Sequence, residues 1–338
     1  LISMKAIRVV APGGLDRLEF VDIADPGMPG ASEIRVRIHA TSLNYHDLIV
    51  ADGRKPVGNR RIPMADGAGV VEAVGSQVTE FAVGDYVVST FFPTWLEGAP
   101  TVGDFSTVPG DGVDGFAVEY VVRAASSFTH APKGFRHVEA ATLTTAGVTA
   151  WRALVVDAAI KAGDTVLVLG TGGVSIFAMQ LAKSFGANVI ATSSSDAKLE
   201  RAREIGADHL INYNDQPDWC KEVITASGGC GVDIVVEVGG PGTLAQSIKS
   251  CRIGGHIALI GVLTGGAGPV PTAAMMVRQQ TLQGLIVGSR EHQRQLVRAL
   301  DSTGVRPVVD AVFPLENLAE AFRVQDKAAH FGKICVEF

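Results

Sequence analysis

Thr165-Val-Leu-Val-Leu-Gly-Thr-Gly-Gly-Val-Ser-Ile-Phe-Ala-Met-Gln-Leu-Ala-Lys183 decides the architecture. Val166 to Leu169 is an unbroken apolar run, with the length and composition of a strand buried on both faces. Gly170, Gly172 and Gly173 follow at once. Val174, Phe177, Ala178, Leu181 and Ala182 then recur at helical spacing. Strand, glycine turn and helix in that order are the context a dinucleotide fingerprint requires. Gly170 suits the tight turn, and Gly172 has no side chain to keep the backbone N–H groups of Gly170 to Val174, Thr171 included, away from a pyrophosphate. The helix N-terminus adds unpaired donors and a partial positive charge. Ser175 replaces the last glycine of G-x-G-x-x-G, and a residue that small still permits close packing of helix on strand.

Working outward, strands and helices alternate. Strands are expected at Asn188–Thr192, His209–Asn212, Val232–Val238, His256–Val262 and Thr281–Val287. Helices are expected at about Asp196–Ile205, Trp219–Ser227 and Leu244–Ser250. This order specifies a doubly wound parallel sheet. Upstream, residues 4–125 read as mostly β, with runs at Met4–Val10, Ile34–Ala40, Gly69–Val74, Asp85–Thr90 and Ala117–Val122 between Gly, Pro and Asp clusters. Many short strands with such turns suggest a barrel. Glu139–Trp151 reads as one helix leading into the second domain. Helices at Glu291–Leu300 and Leu315–Gln325 and a strand at Lys333–Phe338 are expected to return to the first. The fold class is therefore α/β with two domains: 1–145 with 290–338, and 146–289.

The end of the second strand selects the cofactor. An acid about 20 residues after the glycines bonds a ribose 2′-OH and repels a 2′-phosphate. Here that place holds Ser193, within Thr192-Ser-Ser-Ser195. Ser193, Ser194, Lys198 and Tyr213 are candidates for holding the phosphate of NADP(H). Asp196 stands where a helix N-cap is expected.

Bulk properties narrow the function. Charged residues make up 19% and hydrophobic residues 47% of the 338, as in a core-rich globular protein. The net charge of −6 gives no basic footprint for nucleic acid. No apolar run approaches the ~20 residues of a spanning helix. Met4 reads as a natural start after Leu1-Ile-Ser3, and nothing resembles a signal peptide. Cys220, Cys230, Cys251 and Cys335 form no C-x-x-C pair, which fits a reducing cytoplasm. Between Ser89 and Gly115, Phe91, Phe92 and Trp95 either wall an apolar pocket or pack as a small core under a long loop.

Asp66-Gly-Ala-Gly-Val-Val-Glu-Ala-Val-Gly75, Phe81-Ala-Val-Gly-Asp-Tyr-Val87, Ala140-Ala-Thr-Leu-Thr144 to Trp151, the glycine turn and Gly206-Ala-Asp-His-Leu-Ile-Asn-Tyr213 together resemble the medium-chain dehydrogenase/reductase superfamily along nearly the whole chain. Its members include zinc alcohol dehydrogenases and zinc-free quinone and enoyl reductases. The resemblance implies a GroES-like β-barrel domain, a Rossmann domain and a cleft between them for nicotinamide and a small-molecule substrate. It also implies a homodimer paired edge to edge through Thr281–Val287. The positions matching the family's catalytic zinc ligands are Asn44, Ala65-Asp66 and Thr145, which are poor ligands beside thiolate and imidazole. Residues 89–115 contain no cysteine for a structural zinc. No zinc is expected.

Without a Lewis acid, other groups must steady the developing charge. By the resemblance, His46 stands where zinc enzymes carry a proton-relay hydroxyl, and an imidazole can deliver a proton near neutral pH. Tyr45 is a second donor candidate, and Asn44 and Thr145 are candidates to hydrogen-bond substrate oxygen or nicotinamide amide. Asp47 reads as a helix-capping or arginine-pairing carboxylate. Lys55 replaces the tyrosine that enoyl reductases carry in Gly-x-Tyr-Pro. The turns Val238-Gly239-Gly240, Gly261-Val262-Leu263 and Val287-Gly288-Ser289 are expected to meet nicotinamide through backbone groups. Lys333 matches a segment that closes over the cofactor. The implied activity is NADPH-dependent hydride transfer to a quinone or α,β-unsaturated carbonyl, the alternatives being an isolated carbonyl or alcohol, or NADPH binding without turnover.

Overall fold

A computed structural model describes residues 3–338; Leu1 and Ile2, ahead of the expected start, lie outside the described residues. The chain forms two compact units, 1–148 with 288–338, and 149–287.

The first unit opens with the antiparallel pair β1 (Ser3–Val9) and β2 (Leu18–Ala24). Next come β3 (Glu33–Ser42), α1 (Tyr45–Ala51), β4 (Ala68–Val74), β5 (Tyr86–Ser89), β6 (Tyr120–Ala124) and β7 (Phe128–His130). Period-two alternation sets β3: Ile34, Val36, Ile38 and Ala40 are buried, while Arg35 faces outward and pairs with Asp25 at 2.7 Å. Burying one apolar side chain is worth about 1.5–3 kcal/mol, so a one-residue slip of β3 is strongly disfavoured.

The segment expected as one helix is instead α2 (His137–Ala141), a wide π-turn at Leu143–Gly147, α3 (Val148–Trp151) and a second π-turn at Arg152–Asp157. The Thr142 hydroxyl donates back to the Glu139 carbonyl at 2.7 Å, and the threonine run weakens the regular ladder. Single π-turns of this kind often accompany functional positions, and Thr145 lies in this one.

The second unit runs β8 (Thr165–Leu169), α4 (Gly173–Ser184), β9 (Asn188–Ser193), α5 (Asp196–Glu204), β10 (His209–Asn212), α6 (Trp219–Ala226), β11 (Val232–Glu237), α7 (Leu244–Ser250), β12 (Cys251–Leu259), α8 (Thr272–Val277) and β13 (Thr281–Gly284). Its six strands are all parallel, in the order β10-β9-β8-β11-β12-β13. This is the Rossmann arrangement, and Val166 to Leu169 are buried as their composition requires. The last strand is shorter than expected. The backbone leaves the β region at Val287, whose φ of 47° is rare for a β-branched residue.

The chain returns to the first unit as α9 (Arg290–Thr303), β14 (Val309–Pro314), α10 (Leu318–Asp326) and β15 (Lys333–Glu337). The parallel pair β14–β15 joins β3 to complete a mixed sheet of order β14-β15-β3-β4-β5-β7, with β6 also on β3. Ile334 and Val336 enter the same core as Ile34 and Val36. This is the GroES-like domain. Among the described residues no helix is long and apolar enough to cross a membrane.

Candidate active site

In the first unit the residues gather at the start of α1. Asp47 caps its own helix: its Oδ2 accepts from the Asn44 backbone N–H and from Asn44 Nδ2, both at 3.0 Å, and its Oδ1 accepts from Ala65 N–H at 2.9 Å. The capping reading therefore holds and the arginine-pairing one does not. Asp66 is fully buried and accepts from Ser42 Oγ at 2.5 Å and Thr145 Oγ1 at 2.6 Å. The Lys333 ammonium is also buried. It donates to the Leu43 carbonyl at 2.5 Å and Asn44 Oδ1 at 2.6 Å, and lies 3.9 Å from Asp66 Oδ2.

Several expected roles change on this geometry. The Asn44 amide has its oxygen on Lys333 and its nitrogen on Asp47 and, at 3.5 Å, the Ser42 carbonyl. The Thr145 hydroxyl gives its hydrogen to Asp66. Both side chains brace the cluster, so neither has a hydrogen left over for a substrate oxygen. Lys333, expected over the cofactor, is instead the buried counter-ion of this cluster.

Burial pushes the Asp47 carboxyl up to about 6, with the Asp66 charge adding to the rise. Burial also raises Asp66, against the pull of Lys333. Since the folded value of Asp47 lies above its ordinary 3.8, the stability this carboxyl contributes is complete below about 3.8 and is lost as pH rises through about 6. Asp47→Asn cannot titrate. The stability of the natural protein minus that of the variant is expected to fall between about pH 4 and pH 7 in urea denaturation, and a constant difference would contradict the shift.

His46 lies one residue into α1, only 18% exposed at its side chain. Its Nε2 is 2.9 Å from Asp111 Oδ2, at an angle that makes no hydrogen bond. Lys55 Nζ contacts the same oxygen. The His46 ring stacks on Phe105, with centroids 4.7 Å apart, and meets Phe91 edge-on. Burial works to raise the Asp111 carboxyl, but His46 and Lys55 outweigh it and hold it below the ordinary range. Tyr45 is exposed, with its ring under Arg54. Phe91, Phe92 and Trp95 are buried against one another, so they form a small core under the loop rather than a pocket wall. Asp111 and Phe105 carried no signal in the sequence, because only the fold of the 89–115 loop brings them to His46.

In the second unit, Gly170 has a φ of 69°, which a glycine adopts freely. A Cβ at Gly170 or Gly172 meets nothing within 4 Å, so the turn lies open. Gly172 is the N-cap of α4, and no side chain caps that end. The Gly170 N–H donates to Thr192 Oγ1 at 3.4 Å, and the turn from Thr171 through Gly172 and Gly173 to Val174 presents backbone donors that no side chain caps. The Ser175 hydroxyl donates to the Leu169 carbonyl at 2.7 Å, a bond that ties helix to strand where the motif has glycine.

At the end of β9, Ser193 is buried and its Oγ accepts from Ser195 N–H at 3.2 Å, while Ser194 is exposed. Ser195, not Asp196, caps α5: its Oγ accepts from Lys198 N–H. Asp196 begins the helix and accepts from Asn212 Nδ2 at 2.8 Å. Tyr213 is exposed, and its N–H bonds the Ser193 carbonyl at 3.1 Å.

The downstream turns differ from expectation. Glu237, fully buried, accepts through Oε1 from Gly239 N–H at 2.8 Å, Gly240 N–H at 2.9 Å and Thr243 Oγ1 at 2.5 Å, and through Oε2 from Ser247. The donors of the Val238-Gly239-Gly240 turn are thereby engaged within the protein. Gly261 packs on the Val238 carbonyl, where a Cβ would lie only 2.1 Å away, and Val262 is exposed. A carboxylate two residues ahead of a glycine pair was the signal available in the sequence. Val287 ends the second unit and Gly288 resumes the first. Ser289 is the N-cap of α9, with its Oγ accepting from His292 N–H and its own N–H donating to His292 Nδ1, so its bonds serve the helix start rather than a cofactor.

The alcohol dehydrogenase GroES-like domain family matches residues 30–133, and the zinc-binding dehydrogenase family matches residues 173–302. A zinc-type alcohol dehydrogenase-like protein of Schizosaccharomyces pombe is 41% identical over 335 residues, covering 96% of each chain. A solved structure from Sinorhizobium meliloti, described as a candidate alcohol dehydrogenase, has a TM-score of 0.92 and 39% identity over 100% of both chains. A solved NAD-dependent alcohol dehydrogenase has a TM-score of 0.89 and 36% identity, covering 99% of this chain and 100% of its own. The chain belongs to the medium-chain dehydrogenase/reductase superfamily, as an oxidoreductase of the alcohol dehydrogenase-like type.

The family name implies zinc, and the residues here do not suit it. One amide, one hydroxyl and one carboxylate, with a buried ammonium bonded to the first and beside the last, make a poor donor set for a divalent ion. Among the described residues no group of three His, Cys, Asp or Glu side chains is placed to hold a metal.

Proposed function

We propose that this protein is an NADPH-dependent, zinc-independent oxidoreductase acting on a small apolar quinone or α,β-unsaturated carbonyl. The observation that carries the reading is the Lys333 ammonium, seated among Asn44, Asp66 and Thr145, the positions that match the zinc ligands of relatives. A conjugated acceptor spreads the charge that a Lewis acid otherwise holds. The bound nicotinamide supplies the hydride. The open Gly170–Val174 turn and uncapped α4 suit its pyrophosphate. Ser193, Ser194, Lys198 and Tyr213 suit a 2′-phosphate, with no carboxylate side chain at the end of β9. The relative named as NAD-dependent makes the opposite cofactor choice the one to test.

His46 hands over the proton, held by Asp111 and Phe105. His46→Ala is expected to lower kcat by about 100-fold or more, within the range for losing a general acid. Unchanged turnover would remove His46 from the mechanism. Chelator treatment is expected to leave activity intact, and its loss on chelation with recovery on added zinc would overturn the metal-free reading.

A second reading, reduction of an isolated carbonyl or oxidation of an alcohol, is favoured by the alcohol dehydrogenase relatives and uses the same His46. NADPH binding without consumption across enones, quinones, aldehydes and alcohols would mark a non-catalytic protein. The exposed edge of β13 suits pairing with a second copy as a homodimer. The free cysteines Cys220, Cys230, Cys251 and Cys335 suit the reducing cytoplasm as its place of action.

A further inference from the structure

Asp111 comes from the loop after β5 and reaches the first turn of α1, where its Oδ2 faces His46 Nε2 at 2.9 Å. Two aromatic rings flank the imidazole: Phe105, from the same loop, lies parallel to it within 14°, and Phe91 meets its edge at 73°. Stacking fixes the plane of a histidine ring, but it does not decide which nitrogen carries the proton. A carboxylate beside one nitrogen does decide it, because an N–H facing the charge is favoured and a lone pair facing it is repelled.

We infer that Asp111 is the positioning residue of His46: it holds the neutral ring as the Nε2–H tautomer and leaves Nδ1 as the atom that exchanges a proton. The inference rests on the reading of His46 as proton donor and deepens it. The imidazolium loses its proton from Nδ1–H to the substrate atom that becomes negative after hydride arrival. The ring returns to its neutral Nε2–H form and then takes a new proton at Nδ1 from water. Hydride and proton together make one two-electron reduction, and His46 ends each cycle unchanged.

Lys55 has a separate part. Its ammonium contacts the same Asp111 oxygen and lies 3.9 Å from the centre of the Phe105 ring. It keeps the carboxylate ionised and anchors the loop, so Asp111 stays an acceptor when His46 is neutral. The charged groups that face His46 are therefore Asp111 and Lys55 across from it and Asp47 on its own helix. Nε2 makes no hydrogen bond to this oxygen, so Asp111 acts on the ring through its charge at 2.9 Å.

The test uses the full-length protein with nitrogen-15-labelled histidine, read by NMR under conditions where the ring is neutral. The expected spectrum shows the His46 proton on Nε2. Asp111→Asn keeps the shape but loses the charge. It is expected to shift the ring toward a tautomer mixture and to lower kcat by about 10- to 100-fold with KM for NADPH unchanged, as for loss of part of a general acid's contribution. Asp111→Glu is expected to recover the Nε2–H signature. A natural protein with its proton on Nδ1, or an Asp111→Asn ring identical to the natural one, overturns the inference. If Asp111→Asn does not fold, the spectrum of the natural protein alone decides. Because the NMR signature needs no turnover, it separates this inference from the reading it rests on. An Nε2–H ring together with full activity in His46→Ala rejects the proton-donor role and not the positioning.

Discussion

Ser193→Asp is expected to raise the KM for NADPH by about 10- to 100-fold and to lower that for NADH, so that preference swings toward the unphosphorylated cofactor. Two like charges about 4 Å apart repel by roughly 4 kcal/mol at an effective dielectric near 20, and salt and solvent reduce that to a fraction. Every 1.4 kcal/mol retained is tenfold. The local structure tolerates the change. Ser193 Oγ accepts a bond from Ser195 N–H, and an aspartate oxygen can accept the same bond. The α5 cap is supplied by Ser195 and is untouched. Steady-state kinetics with both cofactors read the result directly. Equal KM values before and after the change would place the 2′-phosphate elsewhere, and a natural preference for NADH would overturn the phosphate pocket outright.

Lys333→Met is expected to cost about 3–5 kcal/mol of stability, the range for removing one partner from a buried charge pair. Lys333 is buried and its ammonium reaches the Leu43 carbonyl, Asn44 Oδ1 and the Asp66 carboxylate. Methionine fills much of the same space and satisfies none of those acceptors. The sign with pH follows from the carboxylates. Lys333 works to lower Asp66, so its loss leaves an uncompensated negative charge at high pH and a protonated, neutral carboxyl at low pH. The deficit is therefore larger at about pH 8 than at about pH 5. Chemical denaturation at the two pH values measures it. A variant as stable as the natural protein at both would show that the ammonium is not the counter-ion of the cluster.

These predictions rest on different kinds of information. The phosphate-site prediction was legible in the chain, because the dinucleotide turn and the end of β9 are local. Apolar residues from Val166 to Leu169, then glycines, then helical spacing can be read with no knowledge of distant residues, and the alternation that follows fixes a parallel sheet. The motifs from Asp66 to Tyr213 carried the family in the same way.

The polar cluster was only half legible. Asn44, Asp66 and Thr145 were singled out as positions, but their bonding was not, because each is satisfied by a group far away in the chain. Lys333 reaches Asn44 because β15 pairs with β3 across most of the sequence. Glu237 takes up the donors of its own turn, which spacing alone did not reveal.

What the sequence by itself determined is the class of fold, the place of the glycine turn and the absence of zinc-type ligands at the matching positions, since each depends on residue type and short-range periodicity. Only the tertiary structure decided that Asn44 and Thr145 brace a buried ion cluster, that Ser289 caps a helix, and that Asp111 and Phe105 hold His46. The physical reason is that a buried polar group must find a partner, and which partner it finds is set by the packing of distant segments rather than by its neighbours in the chain.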